Sequence, residues 1–297
     1  MNHVIEVKDL TRSYRGVTAV DNVSLTIEEN GIYGLLGRNG AGKTTLMRLI
    51  AGHEFATFGQ ISIYDQNPVE NSAVLANLAF IRESMRYPEN FKIEHVVKAA
   101  EASFANWDGE FAQDLIETFR IPHKRQIRKL SRGQLSAVGV VVGLASRAPI
   151  TILDEPYIGM DAVARKQFYE LLLADYIENP RTIVLSTHLI DEVADLLEHV
   201  FVIDQGKITL DAKVEDLRGA AAIIEGSSDT IEPIAAGFEI LESQTIGSQR
   251  RIVAQGLSET DFAELQKLGL VVKPASLQQL IVSKTKLDTN QEASITL

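Results

Sequence analysis

Residues 37–45 read Gly37-Arg38-Asn39-Gly40-Ala41-Gly42-Lys43-Thr44-Thr45. Three glycines within six positions let a backbone fold tightly enough for successive N–H groups to point inward at one anion. Lys43 adds a mobile cation, and the Thr44 hydroxyl is a hard-metal ligand. The pattern G-x-x-x-x-G-K-[ST], set after an apolar strand and opening a helix, is a phosphate-binding loop. It predicts nucleotide binding, with Lys43 on the β- and γ-phosphates, Thr44 on Mg²⁺ and the positive end of the following helix adding to the anion site.

A second chemical cluster is Ile150-Thr151-Ile152-Leu153-Asp154-Glu155-Pro156, an apolar strand ending in two carboxylates. Such a strand delivers its last residues to the carboxyl edge of an open α/β sheet, where ligands gather. Asp154 can hold Mg²⁺ through its water shell, and Glu155 can polarise an attacking water as general base.

These groups need elements to position them. Apolar positions read as strands over the first ten residues, at Val23-Leu25-Ile27 and over Ile32–Leu36. Residues 43–51 have helical spacing, and 70–80 and 93–120 are mostly helical by composition. From 150 onward, strands (150–153, 182–186, 200–203) alternate with helices (164–176, 190–197), which predicts an α/β domain with a mainly parallel sheet covered on both faces. After about residue 216 short strand candidates at 221–225, 238–241, 251–254 and 270–272, with a helix at 259–268, predict a small α+β domain.

The composition bounds the function. The 297 residues contain no cysteine, which excludes thiol catalysis and Cys-ligated metals. The net charge of -11 argues against a large nucleic-acid face, and no nucleic-acid partner is expected. No secretory leader pattern is visible, and the best apolar run, Ala137 to Ala145, is too short to span a bilayer. The expected location is therefore cytoplasmic, with any membrane role exerted through a partner.

The order of the Gly37–Thr44 loop, then Leu130-Ser131-Arg132-Gly133-Gln134, then Asp154 23 residues after Ser131, then His188 in Leu185-Ser186-Thr187-His188, resembles the ATP-binding subunits of ABC transporters over about residues 3–215. The resemblance implies an ABC ATPase cassette of the P-loop NTPase fold, spanning 1–217. It would carry an antiparallel β subdomain and a helical subdomain at about 84–145, followed by the small domain at 218–285 and a flexible tail at 286–297.

It also implies roles. Leu130–Gln134 would be the signature that caps ATP held by a second ATPase subunit, the same or a different chain. Ser131 would supply a hydroxyl and Gly133 a close backbone approach. The β-branched run Val138–Val142 suggests a strand by propensity, whereas the resemblance implies a helix. His188 would contact the γ-phosphate, Tyr14 would stack on adenine, and Asp161 in Ile158-Gly159-Met160-Asp161 would lie in a loop that communicates across the dimer. Where the family has a glutamine after the strand near residue 80, this chain has Glu83, a full charge that can contact Mg²⁺.

The stretch Lys273-Pro274-Ala275-Ser276-Leu277-Gln278-Gln279-Leu280 is similar to the end of ATPase subunits of ABC-2-type exporters, and Glu101–Phe111 to a drug- and bacteriocin-resistance branch. Trp107 within it reads as a packing anchor. An ATP-powered exporter subunit, peripheral at the inner face of the membrane and bound to a transmembrane permease, is the implied function. A soluble ABC ATPase without a membrane partner and a regulatory ATP-binding module are the alternatives. One P-loop, no coiled-coil insertion and the presence of both Glu155 and His188 weigh against them.

Overall fold

The computed structural model describes residues 3–83 and 85–284. They form two compact units, one from the segments up to His188 and Asp195–Asp211, the other from Leu189–Ala194 and everything described from Ala212 on. The helix Val214–Leu217 thus belongs to the second unit. The expected flexible tail at 286–297 lies outside the described residues.

The first unit is built on a six-stranded sheet ordered Leu78–Arg82, Ile150–Asp154, Thr182–Thr187, Ile32–Leu36, His199–Asp204, Lys207–Lys213. Its first five strands pair in parallel. Ile32–Leu36, Ile150–Asp154 and Thr182–Thr187 are buried at every residue, as strands covered on both faces must be. The last strand returns through Gln205-Gly206, both at positive φ, the turn a two-residue hairpin requires. A three-stranded antiparallel sheet, with His3–Tyr14 between Val17–Glu28 and Phe58–Ile63, packs its apolar face (Val4, Ile5, Val7, Leu25, Ile27) with Leu46, Met47, Ile152 and Phe201 in one core. The strands Phe58–Ile63 and Lys207–Lys213 were not expected, because both are largely exposed and lack a continuous apolar run.

Two expectations need correction. Residues 70–80 are not mostly helical: only Ser72–Leu75 makes a turn of helix, and Leu78–Arg82 is a strand, since pairing with Ile150–Asp154 outweighs the helix propensity of Leu and Ala. The helix expected at 190–197 is confined to Ile190–Val193. The helices Ile93–Ser103 and Gly109–Thr118, and then Arg132–Ala145, lie in sequence between the strands Leu78–Arg82 and Ile150–Asp154. The run Val138–Val142 is indeed helical, within Arg132–Ala145, whose residues from Ser136 on are all buried. Burial all round suits a helix without a polar face. Its Gly139 and Gly143 permit the approach: a Cβ on Gly143 would lie 2.8 Å from Ile81 Cγ1.

The second unit runs strand Ala221–Ser227, helix Ser228–Ala235, strands Glu239–Ile246 and Gln249–Gln255, helix Glu259–Lys267 and strand Val271–Pro274. The antiparallel sheet has Ala221–Ser227 and Gln249–Gln255 at its centre. This β-α-β-β-α-β order is the ferredoxin-like arrangement. Ala222, Ile224, Ile252 and Ala254 meet Ile231 and Leu265 in its core. Residues 277–284 are helical. Ser276 caps them, accepting from the Gln279 N–H while its own N–H donates to Gln279 Oε1, so a glutamine completes the capping box as an acidic residue would.

Candidate functional site

The loop after Ile32–Leu36 turns through Gly37, Gly40 and Gly42, all at positive φ. Gly37 and Gly42 are forced by neighbours as well: a Cβ would stand 2.3 Å from the Ile203 carbonyl and 2.4 Å from the Ala19 carbonyl. Gly40 faces open space. Helix Lys43–Ile50 starts here without a side-chain cap, so its first N–H groups remain available to an anion.

Lys43 is 4% exposed, and its ammonium donates to the carbonyls of Gly37 at 2.8 Å and Arg38 at 3.1 Å. Its third partner is Glu155 Oε1 at 3.2 Å. All three donors of the ammonium are thereby used. Glu155 Oε2 in turn lies 3.4 Å from His188 Nδ1.

The strand ends carry these side chains. Parallel register sets Asp154 beside Ser186, whose hydroxyl donates to Asp154 Oδ1 at 2.7 Å and accepts the Glu155 N–H at 2.9 Å. That contact holds Glu155 at φ 46°, a conformation costly for a residue with a Cβ. Tyr157 braces the far side: its hydroxyl lies 2.8 Å from Thr187 Oγ1 and accepts the His188 N–H at 3.3 Å. Ser186 and Tyr157 were missed from sequence. The available signal was a run of polar residues, Ser186-Thr187, at the end of a wholly buried strand.

A cleft of about 470 Å³ joins the groups, lined by Asn39, Gly40, Gly42, Lys43, Thr44, Thr45, Glu83, Arg132, Asp154 and Glu155, together with Ala19 and Ile158. The Glu83 N–H donates to the Asp154 carbonyl at 3.0 Å, and its carboxylate pairs with Arg132. Thr44, Glu83 and Asp154 offer oxygen donors only, the set a hard dication such as Mg²⁺ prefers. Ala41 is buried in the turn of the loop, its N–H donating to the Arg38 carbonyl.

Of Leu130–Gln134, Arg132 alone borders the cleft. Ser131 is exposed and caps the helix Arg132–Ala145, with Gln134 returning the bond to the Ser131 N–H. Gly133 lies against the loop at 159, where a Cβ would come 2.4 Å from the Gly159 carbonyl. Asp161 caps the helix Ala162–Glu178 through the Ala164 N–H at 2.9 Å. Tyr14 is not among the cleft residues. Its hydroxyl donates to Glu54, and the Arg12 guanidinium covers one ring face at 4.4 Å.

A glycine loop and lysine at a helix start, facing two carboxylates at the end of the strand Ile150–Asp154, define a P-loop nucleotide-binding protein. Residues 20–158 match the family model for ABC transporters. The chain is similar to ABC transporter ATP-binding protein YtrB of Bacillus subtilis (strain 168), 27% identical over 76% of this chain and 78% of that one. It is also similar to bacitracin transport ATP-binding protein BcrA of Bacillus licheniformis, 29% identical over 73% and 72%. A solved ATP-binding subunit of an ABC transporter superposes with a TM-score of 0.65 at 20% identity, covering 89% of this chain and 99% of its own. This chain has the ATPase cassette fold seen in ABC transporter ATP-binding subunits. Among the described residues no helix is long and apolar enough to cross a membrane.

Proposed function

We propose that this chain hydrolyses ATP as one half of a closing pair of cassettes that drives a separate transmembrane subunit of export type. The observation that carries the reading is Glu155, held by the chain between Lys43 and His188 at the mouth of the phosphate loop. On nucleotide binding the Lys43 ammonium exchanges the Gly37 and Arg38 carbonyls for β- and γ-phosphate oxygens, and the loop N–H groups take the rest. Mg²⁺ bound with the nucleotide would neutralise phosphate charge, held by Thr44, Asp154 and Glu83. Glu155, released from Lys43, accepts a proton from the attacking water, and His188 orients it.

Ser131, Gly133 and Gln134 lie outside the chain's own cleft, which supports their serving a nucleotide in a second cassette. Two nucleotides then bridge two chains, and hydrolysis releases them, a two-state interface biased by ligand. Export is supported by similarity to Nod factor export ATP-binding protein I of Neorhizobium galegae, 27% identical over 95% of this chain and 84% of that one, and by the ABC-2-like stretch at 273–280. The test is co-expression with a candidate permease. Sedimentation of this chain with membranes and ATPase activity that responds to the permease are expected. A chain that hydrolyses ATP equally in its absence and never sediments is a soluble ATPase.

A further inference from the structure

We propose that Arg132 and Glu83 form an electrostatic latch tying the metal position of the chain's own cleft to the helix end it offers a partner cassette. This rests on the two-cassette reading above. The backbone around Arg132 is immobilised. Gly133 abuts the Gly159 carbonyl, and the Ser136 hydroxyl donates to the Ile158 carbonyl. The stem of Arg132 fills the space a side chain at 159 would take: a Cβ there would lie 2.8 Å from Arg132 Cγ. Only the outer guanidinium is left free to swing, and it lies on Glu83.

Glu83 is fixed in the same way. Its N–H on the Asp154 carbonyl keeps it beside the carboxylate that would hold Mg²⁺. The two side chains are 69% and 39% exposed, so water and ions reach the pair and it can be exchanged. Glu83 therefore has two competing cations, the Arg132 guanidinium and the nucleotide-bound metal. Capture of Glu83 by the dication frees Arg132 at the N-terminus of Arg132–Ala145, where it adds a positive charge to the anion site presented to the partner's nucleotide. Occupation of one site thus primes the other, and the coupling is reciprocal.

The test is a Mg²⁺ titration of fluorescent ATP-analogue binding to the full chain, which needs no turnover, in a double-mutant cycle. Arg132→Ala in the native background should lower the half-saturating Mg²⁺ about two- to fivefold, the range of an exposed ion pair. In a Glu83→Gln background the same substitution should cause no shift. Arg132→Lys should restore most of the native midpoint and guards against loss of fold as the cause. Equal shifts in both backgrounds, or none in the native one, overturn the latch. Hydrolysis measured on the same proteins separates the two readings. The titration pattern without turnover in the native chain removes the ATPase reading and keeps the latch, whereas turnover without the pattern does the reverse.

Discussion

Lys43 and Glu155 form an ion pair of 3.2 Å between side chains only 5% and 11% exposed, so the proposed phosphate-binding cation and the proposed base neutralise each other. On the proposed reading, phosphate would have to outcompete a carboxylate for the lysine and would thereby liberate the base. Glu155→Gln removes the charge and keeps the shape. Turnover should fall by at least about 100-fold, while ATP is retained and a dimer accumulates in light scattering with MgATP. Hydrolysis near the native rate in this variant would show that Glu155 is not the base.

Ser131→Arg places a bulky cation at an exposed helix start outside the chain's own cleft. Binding of ATP to the monomer should persist and MgATP-dependent dimerisation should be lost. The cap is lost as well, at about 1 kcal/mol, so a small fall in thermal midpoint accompanies the effect. Isothermal titration and light scattering on one preparation check both. Monomer that no longer binds ATP contradicts the arrangement in trans.

Much of the site could be read without coordinates because its parts are local. Gly37–Thr45 needs only a strand before it and a helix after it, and both appear as Ile32–Leu36 and Lys43–Ile50. Asp154 and Glu155 announce themselves as carboxylates ending an apolar run. Ser186 and Tyr157 were illegible because their roles arise from parallel register across 32 residues of chain, Asp154 to Ser186, and from a bond to His188. Composition misread residues 78–80 for a related reason, where the resemblance implied a strand near 80: pairing with a distant strand, and not local propensity, makes the segment extended.

Ser186 satisfies two buried groups at once, the Asp154 carboxylate and the Glu155 N–H, and is itself fully buried. Ser186→Ala leaves both unpaired. The cost is about 1–3 kcal/mol, read as a lower urea midpoint. The strained Glu155 backbone also loses its anchor, so kcat should fall more than ATP affinity does. An alanine variant of native stability and turnover would show that Ser186 positions neither group.

His53 is held below the ordinary histidine range, first by partial desolvation and then by the guanidinium groups of Arg82 and Arg48. The unfolded chain therefore takes up its proton at higher pH than the folded one. Above the unfolded value of about 6.5 the residue has no effect. As pH drops below it stability is lost, until the folded site protonates too. His53→Gln should flatten the decline in urea midpoint between pH about 7 and 5. Parallel curves for the native and variant proteins would remove His53 from the pH response.

Gly133→Ala sets two effects against each other. Alanine favours the helix Arg132–Ala145 by about 1 kcal/mol. Its methyl, however, would lie 2.4 Å from the Gly159 carbonyl, a contact no side chain tolerates without backbone movement. Overpacking of this kind costs about 1–3 kcal/mol, and the obstructing atom is backbone, so the clash should win. The variant should unfold at lower urea than the native protein. It should also dimerise less with MgATP in the Glu155→Gln background, since the loop carrying Asp161 must shift with Gly159. A variant more stable than the native chain would mean that this loop yields freely, and that the junction between the helix start and residues 158–161 is not the rigid support on which Arg132 swings.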